Sequence, residues 1–254
     1  MKKSVIVLMV IILSVFTTSL QAQNFSLGVK CGLNIPRLTA GKSDNPINKD
    51  YESRFGPTFG VYGECHYSDF ISFYLGMEYS SQGGQKDKYQ AFYPTGDLIP
   101  VAQSLGVSYL YADFMSVARL NYMLVPVLAK FNWSHFTSLP VKIYTSVGPF
   151  FGLLLNAKQV TSGSGIIYAD ENRTIQITPQ PVSFDNTQDI KDELYKFNCG
   201  FYGIVGVGYD LSPKSSVFIE GGGNYGFTPL QKEDGNGRNY AGAGSVTLGF
   251  ALNL

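Results

Sequence analysis

Histidine is almost missing from this chain. His66 and His135 are the only two, so imidazole chemistry near neutral pH has few places to occur. His66 borders an expected turn at Tyr67–Asp69 and His135 falls in an expected turn at Asn132–Pro140. Neither reaches the long gaps between patterned segments, so a serine or aspartate nucleophile there would lack a histidine base. Asp113, Asp170 and Glu171 in those gaps read as solvated carboxylates, and catalytic residues are expected nowhere. Charge is sparse at 15% of residues and balanced, 19 basic against 19 acidic, which leaves no electrostatic footprint for nucleic acid. The cysteines, Cys31, Cys65 and Cys199, show no zinc spacing. No phosphate-cradling loop or D-x-D-x-D-G run is present, so neither cofactor nor metal is expected. Past the N-terminus no segment has the roughly 20 apolar residues of a spanning helix.

What is there begins with a leader. Lys2 and Lys3 precede an apolar run from Val5 to Phe16, and Ser19-Leu20-Gln21-Ala22 offers a cut after Ala22. Residues 1–22 are thus expected to be a cleaved Sec signal peptide and residues 23–254 one domain. Cys31 lies too far past the leader to be a lipidated first residue. At the other end, Val246, Leu248, Phe250, Leu252 and Leu254 alternate with Thr247, Gly249, Ala251 and Asn253. An exported chain that ends on a strand with one apolar face suits an outer-membrane barrel, whose last strand closes on its first.

Period-2 alternation marks eight segments: Phe25–Asn34, Phe55–Tyr67, Phe70–Gln82, Arg119–Phe131, Val141–Ala157, Phe197–Leu211, Ser216–Gly226 and Tyr240–Leu254. Short turns follow the second, fourth and sixth. The other gaps, Ile35–Arg54, Gly83–Ala118, Lys158–Lys196 and Phe227–Asn239, are long. With a periplasmic N-terminus every long gap falls outside the cell. The expected fold is all-β: an eight-stranded antiparallel up-and-down transmembrane β-barrel with short periplasmic turns and long extracellular loops.

Alternation alone does not say which face is wet, and a lipocalin-like cup would place the apolar set inward. The polar set decides. It carries Lys30, Glu64, Glu78, Lys130, Lys142 and Glu220, three charges of each sign that can pair inside a narrow barrel. On the lipid face a Lys or Arg would cost about 2–4 kcal/mol at the midplane. Arg119 fits neither face and is expected at the outer rim.

Gly221-Gly222-Gly223 and Gly203-x-x-Gly206-x-Gly208 lie inside strands with no helix after them, which removes the dinucleotide reading; they make room for large neighbours. Gly235-Asn236-Gly237 marks the tip of the last loop. Tyr67, Phe70, Phe131 and Trp133 on the turn side, with Tyr79 and Tyr225 nearer the loops, suit two aromatic girdles. The cysteines are expected as free thiols on the lipid face, because a first hairpin that sets Phe25 beside Cys65 leaves Cys31 about 20 Å away at 3.3 Å per residue.

Four stretches carry a resemblance to a known family. They are Gly28-Val29-Lys30-Cys31-Gly32-Leu33-Asn34, Glu78-Tyr79-Ser80-Ser81-Gln82-Gly83-Gly84, Leu124-Val125-Pro126-Val127-Leu128-Ala129-Lys130-Phe131 and Gly148-Pro149-Phe150-Phe151-Gly152. In this order they resemble the PorT-like outer-membrane β-barrel proteins of Bacteroidota, although Leu124 stands where that family often has an acidic residue. The resemblance implies the cell outer membrane as location. Some relatives serve the type IX secretion system, so an accessory part in such a system is one alternative function, and a small outer-membrane enzyme another.

The leading expectation is a non-catalytic barrel acting through its loops as a binding, assembly or envelope-structural element. Outer-membrane lipid surrounds it, and a protein or glycan partner is expected at 83–118 and 158–196. Val107, Tyr109 and Tyr111 alternate with Ser108, Leu110 and Ala112, and Thr174-Ile175-Gln176-Ile177-Thr178 alternates too, which predicts strands beyond the membrane. A transport pore is disfavoured because eight strands leave an interior that side chains fill.

Overall fold

The computed structural model describes residues 25–40, 46–48, 50–134, 141–232 and 238–254. The expected leader, His135 and the Gly235–Gly237 tip lie outside the described residues. Among the described residues eleven strands are formed: β1 (Phe25–Ala40), β2 (Gly56–His66), β3 (Ile71–Phe92), β4 (Leu110–Asn132), β5 (Val141–Ser162), β6 (Ser164–Gly165), β7 (Val182–Ser183), β8 (Asn186–Asp189), β9 (Phe197–Ser212), β10 (Ser215–Pro229) and β11 (Asn239–Asn253). One helical segment, α1 (Leu98–Ser104), lies between β3 and β4. No described helix is long and apolar enough to cross a membrane.

Eight of the strands form a ring in the order β4-β3-β2-β1-β11-β10-β9-β5, closed by β5 on β4. All neighbours are antiparallel, and β1 meets β11 from Ser26↔Asn253 to Ala40↔Asn239. The two termini of the barrel are thus zipped together, which leaves no free edge among these strands. The ring is an all-β, antiparallel, eight-stranded barrel.

Alternation sorts the faces as the residue types demand. On β1, Ser26, Lys30 and Asn34 are buried while Leu27, Val29 and Leu33 are exposed. Exposed apolar residues continue round the ring through Val61, Leu75, Val127, Val147, Val205, Ile219 and Leu248, a belt that only hydrocarbon solvates well. Large inward side chains sit where the neighbouring strand has no Cβ. The Tyr62 ring lies where a Cβ on Gly28 would be, and the Tyr144 ring likewise covers Gly206.

The strands are longer than alternation suggests. β3, β4 and β5 have 22, 23 and 22 residues, whereas a bilayer needs about 9–11. The excess stands on the extracellular side, so β3 and β4 run on into the gap Gly83–Ala118, while Lys158–Lys196 holds the end of β5 and the short strands β6, β7 and β8. On the periplasmic side the turns are tight; Pro213 and Lys214 alone join β9 to β10. There Phe70 packs edge-on against Trp133 at 5.2 Å and beside Phe131 at 5.8 Å. On the opposite side Phe59 stacks on Tyr79 at 4.9 Å.

Candidate functional site

The barrel interior is closed by a hydrogen-bonded charge cluster. Lys30 Nζ lies 2.7 Å from Glu78 Oε1 and 3.4 Å from Glu220 Oε2. One layer nearer the periplasm, Lys130 Nζ lies 2.7 Å from Glu64 Oε2 and 4.0 Å from the Tyr144 ring centroid. Two ammonium groups therefore face three carboxylates, and phenols supply the missing donors. Tyr74 and Tyr202 donate to Glu78 at 3.0 and 3.1 Å, and Tyr144 donates to Glu220 at 3.0 Å. Above this layer Asn34 donates to Ser80, and Gln82 bridges Ser80 to Asn224. Packing of this kind fills the interior and ties together strands far apart in sequence.

Lys142, expected in the same set, departs from it. It points inward at the periplasmic rim, half-exposed, and pairs with Asp210 at 2.7 Å. It is the second residue of β5, at the strand's periplasmic end. A second departure concerns what fills the rest of the interior. Sequence reasoning filled it with glycine and small residues, yet Leu120, Tyr122, Leu124, Leu128, Phe150 and Leu154 form an apolar inner wall along β4 and β5. These strands are apolar on both faces, so alternation is muted there. Leu124, the residue unlike the PorT-like pattern, belongs to this wall.

His66 closes the periplasmic end. Its Nε2 lies 2.7 Å from Ser26 Oγ, its Nδ1 3.0 Å from Ser72 Oγ, and Nδ1 is 3.5 Å from Glu64 Oε1. Serine, histidine and glutamate in sequence resemble a catalytic relay, but the geometry opposes it. Ser26 is buried and donates its proton to Asn253 Oδ1 at 2.8 Å, so Nε2 must donate to Ser26 rather than deprotonate it. The group is a plug. Among the described residues no cluster of three or more His, Cys, Asp or Glu could hold a metal ion.

The extracellular side carries the more open architecture. Above Gly83, β3 and β4 continue as a hairpin capped by α1, and Ala102, Leu110, Ala112, Phe114 and Ile167 form a second small core. Phe184 stacks on Phe114 at 4.5 Å and meets Phe92 at 5.3 Å. Segment 163–196 is thereby fastened to the hairpin. Tyr111 and Tyr168 exchange backbone hydrogen bonds at 2.9 and 2.8 Å, and Arg173 lies over Tyr89 at 4.3 Å while pairing with Asp113 at 3.0 Å. Of the alternations read in these gaps, that around Tyr111 lies in β4 from Leu110 on. Thr174–Thr178 makes only a single bridge, Gln176 to Tyr168. The amides of Thr174 and Ile175 donate to the Asp170 carboxylate, while the bridge itself is made by Ala169 N donating to Ile175 O and Ile177 N to Ile167 O.

β8 pairs with β5 from Lys158↔Asp189 to Thr161↔Asn186, taking up the position that β9 vacates above Phe197. The result is a cup of about 590 Å³ at the barrel mouth. Its floor is Leu38 and Leu120; its wall holds Tyr51, Phe92 and Phe114 together with the amides Gln90, Gln159 and Gln188. Lys86 stands beside it, donating to Ile47 O at 2.5 Å and lying over the Tyr51 ring at 4.5 Å. Burial pushes its ammonium down to about 8 against the pull of Asp50, and pushes the Tyr51 phenol up to about 12.

Residues 21–232 match the family model of the outer membrane protein beta-barrel domain. Among solved structures the chain is similar to Neisserial surface protein A, with 11% identity over 91% of this chain and 97% of that one at a TM-score of 0.38. Ail of Yersinia pestis shows 10% identity over 91% and 98% at 0.36. OprG of Pseudomonas aeruginosa shows 8% identity over 91% and 96% at 0.41. Likenesses this remote say nothing of what this chain binds. No curated protein matches the chain.

Proposed function

This chain belongs to the outer membrane protein beta-barrel domain family, and from that premise we propose that it works without catalysis, as a cell-surface binding element acting through its extracellular cup. The protein sits in the cell outer membrane. The carrying observation is the contrast between a sealed interior and an ordered, open mouth. Aromatic rings beside amide side chains offer both stacking and directional hydrogen bonds, which suits a glycan or an inserted protein loop. We assign the chain further to the PorT-like group of Bacteroidota on its four ordered motifs, and expect residues 1–22 to be removed on export. The plug argues against a pore, and planar-bilayer recording should give no stepwise conductance.

Array binding with the full chain in detergent micelles tests the reading. Ser116→Phe fills the cup from a position that lines it, and should abolish glycan or peptide binding while the unheated protein keeps its distinct gel migration. Binding that survives the filled cup would move the site elsewhere on the surface.

A further inference from the structure

A cluster of cations stands on the outside of the barrel, just above the apolar belt. Arg119 on β4 and Lys158 on β5 are register partners, and both face outward and are exposed. On the other side of Arg119 its register partner is Gly83, which offers no side chain. Arg54 fills that flank from the segment before β2. Its Nη2 donates to Ser81 Oγ at 2.9 Å and to Gln82 O at 2.5 Å, which lays the guanidinium on the outer wall of β3. Strand spacing of about 4.8 Å sets the three cationic groups around one small space. Arg54 Nε is buried there with no partner.

Among the described residues none of the three forms an ion pair. Asp189 is the register partner of Lys158 but makes no ion pair with it, and its Oδ1 accepts from Lys191 N at 2.9 Å. Lys191 adds a further cation, its Nζ 2.7 Å from Leu155 O on the same wall. Burial, and after it Arg119, hold the Arg54 guanidinium below its ordinary value, with Tyr79 opposing. Like charges this close at the edge of a low-dielectric medium are costly without a counter-anion.

Height identifies the anion. Directly below the cluster the outward residues are Leu153 and Leu155, and beside it Phe55 is 72% exposed. Such side chains solvate acyl chains, so the space above them lies at headgroup level. We propose that Arg54, Arg119 and Lys158 form a clamp on the outer wall that holds the phosphate of one phosphate-bearing lipid of the outer leaflet. The lipid's chains run down past Leu153 and Leu155, and the exposed heads of Arg119 and Lys158 meet its phosphate. The clamp is independent of the cup.

Native mass spectrometry of the full chain, with dioleoyl phosphatidic acid titrated into neutral micelles, reads the clamp directly. The double variant Arg119→Gln/Lys158→Gln removes two side chains that bond to nothing in the described protein, so its heat-modifiable migration should stay intact. Loss of two charge-assisted contacts should weaken phosphatidic acid retention about ten-fold or more. Phosphatidylcholine, whose phosphate is internally neutralised, should show little difference between the two proteins. Equal phosphatidic acid retention by wild type and variant overturns the proposal. Displacement of the lipid by inorganic phosphate at equal concentration overturns it too, since the site would then serve a free ion.

Discussion

Below Gly83 and Arg119 the strands of this protein obey two constraints at once; above them the same strands obey neither strictly. Within the membrane the outward face meets hydrocarbon and the inward face meets a crowded lumen, so Leu27, Val29 and Leu33 must alternate with Ser26, Lys30 and Asn34. Above it, β3 runs Gln85-Lys86-Asp87-Lys88-Tyr89-Gln90, polar on both sides because both sides meet water or other loops. The lower region is held by ring closure and the Lys30–Glu78–Glu220 cluster. The upper region is held by a few rings, Phe92, Phe114 and Phe184, contributed by two segments far apart in sequence. Two sources of stability in one set of strands imply two regions that can fail separately.

The largest effect is expected from Lys30→Met. It leaves Glu78 and Glu220 buried without their cation, and breaking a buried pair from one side costs about 3–5 kcal/mol. Urea unfolding in micelles should show the loss, with the unheated gel form weakened or gone; unchanged unfolding would mean that the cluster does not hold the barrel. Phe114→Ala should cost about 3 kcal/mol, but only above the membrane. Hydrogen exchange should rise across 84–117 and 163–189 together while β1 and β11 keep their protection. Exchange confined to 84–117 would break the claim that the two segments share one core.

Smaller still, Arg173→Gln removes an exposed pair with Asp113 and its stacking on Tyr89. About 1 kcal/mol of local stability is expected to go, read as faster proteolysis near Tyr168. Lys142→Gln should be near neutral, within about 1 kcal/mol, because its pair with Asp210 is solvated. A loss as large as that of Lys30→Met would place Lys142 in the interior cluster after all.

The barrel was legible because lipid makes alternation strict. The closing strand, the expected approach of Phe25 to Cys65 and the outward Cys31 all follow from a pattern that a one-residue slip would ruin. All three cysteines are free thiols in the structure. The strand ends above the membrane were illegible for the opposite reason. Nothing in Gln85–Gln90 distinguishes a solvated strand from a loop. The cup was illegible because it is assembled from Leu38, Tyr51, Phe92, Gln159 and Gln188, residues of separate segments that no local spacing connects. Lys142 was misplaced because face parity says which way a side chain points and not how deep it lies. Arg119, which fitted neither face, marks the height at which the lipid constraint ends.

The central claim is that the membrane ring is self-sufficient while the extracellular extension is a separable binding unit. Joining Gly83 to Ala118 and Lys158 to Lys196 by short Gly/Ser turns removes that unit and leaves the ring. Migration of unheated against boiled protein, on outer-membrane fractions of cells expressing the shortened chain, is the direct test. A preserved heat-dependent shift, with cup binding lost, is the expected result. A shortened chain that reaches the membrane fraction but shows a single boiled-type band would contradict the account, because the extension would then be part of what closes the barrel.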